Sequence, residues 1–167
     1  MRTLLIGGAL AAIAASLAAC GGSSANSASE QVMQRDADRF AIETIAKRWH
    51  KATSRQDVGL MISLWAPHAT WTIEPGRTLV GKQQIRRYLL TESAPFKPEN
   101  RWVSLSAVYK VRITANGDRG TLFFECHYVD VKTHEVVRST GADQDVARIN
   151  GRWLITNMVG AAPTLSP

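Results

Sequence analysis

Arg101-Trp102-Val103-Ser104-Leu105-Ser106-Ala107-Val108-Tyr109-Lys110-Val111-Arg112-Ile113-Thr114 has a two-residue period. Val103, Leu105, Ala107, Tyr109, Val111 and Ile113 fall on one side, and Ser104, Ser106, Lys110 and Arg112 on the other. Successive side chains of a strand point to opposite faces, so this stretch predicts one antiparallel strand with its apolar side inward. Asn116-Gly117-Asp118 follows and has the composition of a tight hairpin. Residues 121–131 and 136–149 read as the next two strands. Asn150-Gly151 is a second hairpin signal, leading into a last strand over 153–159. The second half of the chain is therefore expected to be a β-meander.

Upstream the period changes. Ile42, Ile45, Ala46, Trp49, Ala52 and Thr53 recur at three- and four-residue spacing, which places them on one face of a helix over about residues 36–54. Ser27-Ala28-Ser29-Glu30 has the form of a capping box, which signals either an earlier helix start or a separate preceding turn. Asp57 suits the N-cap of a short second helix carrying Leu60, Met61, Leu64 and Trp65, which Pro67 is expected to close. Residues 69–74 alternate as a short strand, Pro75-Gly76 is a turn, and residues 81–90 form a third helix with Ile85, Tyr88 and Leu89 inward. Residues 93–100, with two prolines, read as a loop. Helices first and a meander afterwards make the fold class α+β, and no internal repeat is present.

The N-terminus reads as an address. Met1-Arg2 is followed by an uncharged run over residues 3–19 that ends in Leu17-Ala18-Ala19-Cys20-Gly21. A short positive start, an apolar stretch and small residues before the cut describe a secretory signal peptide over 1–19. The Cys after Leu-Ala-Ala resembles a bacterial lipobox, in which Cys20 becomes the acylated N-terminus. Residues 20–35 then read as a flexible tether, 36–161 as the folded domain and 162–167 as a tail. The expected location is the cell envelope, with the protein anchored by lipid; the residue after the Cys is Gly21, not Asp, which implies the outer membrane if the source has two.

Charge and composition restrict the function. The 167 residues carry 20 Lys and Arg against 14 Asp and Glu, a formal charge of +6, and 45% are apolar. This is the make-up of a globular protein. Two cysteines exclude a disulfide-stapled mini-fold and a multi-cysteine zinc module. Basic residues crowd residues 35–55 and 82–87; export argues against nucleic acid, and a face near anionic headgroups, or simply a solvated helix surface, fits better. No cofactor motif is present and no metal is expected; Glu125 and His127 could supply two metal ligands, but a site would need one or two more from elsewhere.

The order of elements resembles the nuclear transport factor 2-like superfamily, and within it the SnoaL-like group. The matching residues are Ala41-Ile42 and Trp49, then Asp57 with Leu60 and Leu64, Gly81 with Ile85, Asn116-Gly117-Asp118, and Asn150-Gly151-Arg152-Trp153. The resemblance implies a cone, in which a bent antiparallel sheet wraps one long and two shorter helices. Dehydratase-like members carry a Tyr-Asp pair where this chain has Thr53-Ser54, and a His where it has Asn100-Arg101-Trp102-Val103. A second His falls near His127 but out of register, and the Asp-Ala before the first strand is replaced by His68-Ala69. The resemblance therefore does not convey that catalytic set.

Other candidates come from spacing. Glu125 and His127 share a strand face, as do Asp143 and Asp145. Such pairs suit acid–base work when burial separates their protonation, or they are hydrated outer-face pairs. Cys126 reads as a buried, inert thiol. Trp49, Trp65, Trp71, Tyr88 and Tyr109 are expected to line a mostly apolar ligand cavity or to pack as core. The function expected first is a non-catalytic module binding a small apolar ligand. An isomerase, dehydratase or hydrolase with non-standard residues, and an envelope interaction module or homodimer, are the alternatives.

Overall fold

The computed structural model describes residues 23–74, 76–106 and 110–161. Cys20, the segment 1–19 expected to be a signal peptide, the residues after 161 and Tyr109 lie outside the described residues.

Three helices pack on one seven-stranded sheet. Helix α1 spans Ser23–Ser54, α2 Val58–Ser63 and α3 Gly81–Thr91. The strands are β1 Trp65–Glu74, β2 Arg77–Val80, β3 Trp102–Ser106, β4 Arg112–Asn116, β5 Arg119–Asp130, β6 Val136–Ile149 and β7 Arg152–Ala161. Their order is β2-β1-β7-β6-β5-β3, with β4 also on β5. The α+β class expected from the pattern holds. The sheet is open, curved and mixed, however, because β1 runs parallel to β7. A meander read from hairpins could not reveal that closing pair, which joins residues some ninety positions apart in the chain, as in Trp65↔Ile155.

Helix α1 crosses the concave face. Ile42, Ile45, Ala46, Trp49, Ala52 and Thr53, the face expected from the helical period, are all buried. Where α1 crosses β5, Gly120 admits the helix: a Cβ there would collide with the Thr114 carbonyl and press on the Ile42 side chain. Asp57 caps α2, its carboxylate accepting the Leu60 N–H at 2.8 Å. Asn150 and Gly151 both have positive φ, 50° and 73°, as a two-residue hairpin turn of the type I′ kind requires.

Three expectations are corrected. Helix α2 ends at Ser63, and Pro67 lies inside β1, where the pairing with β7 is interrupted between Trp65 and Thr70. Residues 23–35, expected as a flexible tether, are helical from Ser23 onward. Glu30, Gln31, Met33, Gln34 and Arg35 are good helix formers, and the segment extends a helix already nucleated by packing, which costs less than starting one. Lastly, residues 101–114 are not one strand. Six residues separate Ser106 from Arg112, while three separate their β5 partners Cys126 and Phe123. The three extra residues are an odd number, so the alternation changes phase. Ile113 keeps its core side on β4, but on β3 Ser104 is buried and Leu105 is exposed.

Candidate functional site

The cone encloses a cavity of about 300 Å³ between α1, α3 and the concave sheet. Helix α1 supplies Trp49 and Thr53, β1 supplies Trp71 and Ile73, and α3 supplies Tyr88 and Leu89. Phe96 closes one side from the loop after α3, while Phe124, Cys126 and Tyr128 form the floor on β5. Residues 138–142 of β6, with Met158 of β7, complete the rim.

The walls are fixed by ring contacts. Trp49 meets Trp71 at 6.0 Å and Phe124 at 5.6 Å between centroids, and Trp71 meets Tyr88 edge-on at 5.2 Å. Trp49, Trp71 and Tyr88 therefore line the cavity. Trp65 does not. It is fully buried behind the wall, stacked on Trp71 at 5.3 Å, because β1 begins at Trp65 and turns its ring into the core.

The carboxylate pairs have separate fates. Asp143 and Asp145 are exposed on the convex face, and Asp145 accepts a hydrogen bond from the Asn157 amide at 3.2 Å. Neither reaches the cavity, whose wall on β6 includes Ala142 of the opposite face. Glu125 is only 1% exposed, so the hydrated outer-face alternative fails for it. One of its oxygens accepts from Lys110 Nζ at 2.7 Å and lies 3.4 Å from His127 Nε2. His127 Nδ1 is 2.9 Å from the Ser139 hydroxyl, and Ser139 is on the cavity rim. His127 thus stands behind the wall, linked to the cavity through Ser139.

A second imidazole was missed by sequence reasoning. His50 on α1 is buried, its Nδ1 lies 2.7 Å from the Ser104 hydroxyl, and its Nε2 has no hydrogen-bond partner among the described residues. Burial, and then the nearby His127, push its pKa from 6.5 down to about 4. Between those two values the unfolded chain binds a proton that the folded chain does not. The stability due to neutral His50 is therefore complete above pH 6.5 and is lost as pH falls toward 4. The change is on the order of 3 kcal/mol. Urea unfolding across this window should show that slope in the native sequence, and His50→Gln should flatten it.

Cys126 lies in the floor, where burial pushes its thiol up to about 12. In a Cys20→Ser chain at about pH 8, iodoacetamide should label Cys126 only after denaturation. Rapid native labelling would show that the floor opens.

Arg138, Ser139 and Phe96 are among the lining residues that the sequence pattern does not mark. The cross-strand register Tyr128↔Arg138 would have located Arg138, but the β5–β6 connection carries no Asn-Gly signal to fix it.

The SnoaL-like domain family matches residues 34–159, which covers α1 from residue 34 onward, α2, α3 and the sheet as far as residue 159. The chain belongs to the SnoaL-like family. Solved structures share the SnoaL-like cone. A protein with an NTF2-like, cystatin-like fold from Novosphingobium aromaticivorans superposes with a TM-score of 0.66 at 12% identity, covering 88% of this chain and 94% of its own. A cystatin-like protein of unknown function from Nostoc punctiforme gives 0.63 at 19% identity, covering 77% and 96%. A type 2 hexachlorocyclohexane dehydrochlorinase gives 0.61 at 19% identity, covering 81% and 91%. At these identities the likeness shows the fold alone. No curated protein gives a significant match to the sequence.

Proposed function

We propose that this SnoaL-like domain is a ligand-binding module, lipid-anchored in the cell envelope through Cys20, that takes up a small and mostly apolar molecule. The cavity carries this reading. It is walled by aromatic rings, it bears hydroxyls on Ser93, Tyr128, Ser139 and Thr140, and among the described residues its lining holds no carboxylate and no imidazole. Few polar groups in a largely preformed apolar recess is the make-up of a small-molecule site. A volume of about 300 Å³ holds an aromatic or alicyclic body, being roughly ten water volumes at about 30 Å³ each.

Ala142→Leu tests this directly. The added atoms enter the cavity, so 2-naphthylmethanol measured by calorimetry should bind the native chain and lose at least about tenfold in the variant, one such factor being about 1.4 kcal/mol. Equal binding by both chains would place the ligand elsewhere and defeat the proposal. For the anchor, the support is the Leu17-Ala18-Ala19-Cys20 sequence; no helix of the described residues is long and apolar enough to cross a membrane. Fatty-acid labelling should be lost in Cys20→Ser.

A second reading, a hydrolase-type enzyme, has one observation in its favour: the Ser139–His127–Glu125 chain of contacts that ends on the rim. Hydrolysis of 4-nitrophenyl esters that disappears in Ser139→Ala would support it over binding alone.

A further inference from the structure

The cavity is not neutral. Arg138 is the single charged side chain among its described lining residues, and it stands exposed on the rim. Its Cα is paired across the sheet with that of Tyr128, which is buried in the floor. Tyr128 feels the positive charge of Arg138, which opposes part of the burial that drives its pKa well above the ordinary value. The guanidinium therefore acts on the interior of the cavity as well as on the solvent outside it.

Four other arginines of the domain are engaged by the protein, whereas Arg39, Arg48 and Arg119 are free but do not line the cavity. Arg77 makes a two-pronged pair with Glu92, Arg101 reaches Asp130, Arg148 reaches Asp38, and Arg112 lies over the Phe123 ring at 3.8 Å. Arg138 has no salt bridge or hydrogen bond to any described residue. An arginine presents a rigid fork of donors that fits a planar carboxylate on two atoms. Here that fork lies on the same strand face as Thr140, at the mouth of a mostly apolar recess.

We infer that the ligand of this cavity is an organic carboxylate, with its ring system against the wall formed by Trp49, Trp71 and Phe124 and its carboxylate at the rim on Arg138. This rests on the ligand-binding reading above and adds the chemical class. The arrangement satisfies both halves of such a molecule. The body leaves water for the aromatic walls, and the charged head keeps partial contact with solvent while it gains a charge-assisted pair. An inverted pose would bury the carboxylate against Phe124 and Met158 with no cation to meet it, which is strongly unfavourable.

The test compares 2-naphthoate with 2-naphthylmethanol, which share the ring system and differ in the charged head. Calorimetry on the full chain should show the acid binding at least about tenfold more tightly, as a charge-assisted hydrogen bond provides. Arg138→Gln should remove that preference, weakening the acid far more than the alcohol. Arg138→Lys should keep only part of it, because a point charge cannot fork onto two oxygens. Arg119→Gln, at an exposed arginine away from the cavity, should keep it all, which separates a local contact from net charge. Equal affinities for acid and alcohol in the native chain would overturn the carboxylate inference while leaving the apolar site in place. A preference that survives in Arg138→Gln would overturn the role of Arg138. Binding of neither compound would overturn the cavity reading itself.

Discussion

Lys110→Met will destabilise the domain by about 3–5 kcal/mol, the usual result of removing one partner from a buried ion pair. The reason lies in the gap between β3 and β4. Strand β3 pairs with β5 from Asp130 to Cys126, and β4 resumes at Phe123, so Phe124 and Glu125 face the interruption on that edge. Glu125 is 1% exposed and Lys110 7% exposed, and their 2.7 Å contact spans the place where backbone pairing stops. Without the ammonium, a carboxylate is left in a site that water does not reach. The double variant Lys110→Met, Glu125→Leu should recover most of the loss, since an apolar pair of similar volume is often as stable as a buried ionic one. Urea midpoints of the single and double variants measure this. A single-variant loss below about 1 kcal/mol would mean that the pair is solvated as a surface bridge is.

Trp49→Ala is the second large effect, again about 3–5 kcal/mol, as for other buried aromatic truncations. Trp49 is the shared member of the aromatic cluster, touching Trp65 and Trp71 at 6.0 Å each and Phe124 at 5.6 Å. It joins α1 to β1 and β5 at once, so its loss cannot be absorbed by one neighbour moving. Because it also forms cavity wall, the variant should bind 2-naphthylmethanol more weakly even under conditions where it is folded. Trp49→Phe should retain most of the stability. Thermal unfolding and calorimetry on the same samples separate the two consequences. A Trp49→Ala chain as stable as the native one would show that the cluster is loosely packed.

Much of this arrangement is legible in the amino-acid pattern, for identifiable reasons. The buried face of α1 recurs over three turns, and a long period is hard to imitate by chance. Asn150-Gly151 marks its turn because both residues tolerate positive φ. The β3 face was misread because one odd insertion reverses every side chain, and an insertion leaves no mark in an alternating run. Trp71 and Tyr88 are conspicuous in the sequence as aromatics in an amphipathic strand and helix, and both line the cavity. Trp65 was equally conspicuous and lies behind the wall, since composition does not encode depth. Arg138 was overlooked for the opposite reason: in a strand whose hairpin carries no turn signature, nothing places it opposite Tyr128. Asp143 and Asp145 attracted attention by spacing alone, and spacing does not reveal which face of the sheet they take.

Helix α1 has one more consequence. Residues 27–37 are exposed, yet they continue without a break into the segment that fills the core. The part ahead of Asp36 is about 20 Å long at 1.5 Å per residue. A spacer of that kind is a spindle: whatever tilt or rotation is imposed at its outer end passes to the whole domain, cavity mouth included. If Cys20 is the point of attachment, the orientation of the cavity relative to the bilayer is governed by the few residues between the lipid and Ser23, and one glycine pair inserted ahead of Asp36 would uncouple the two.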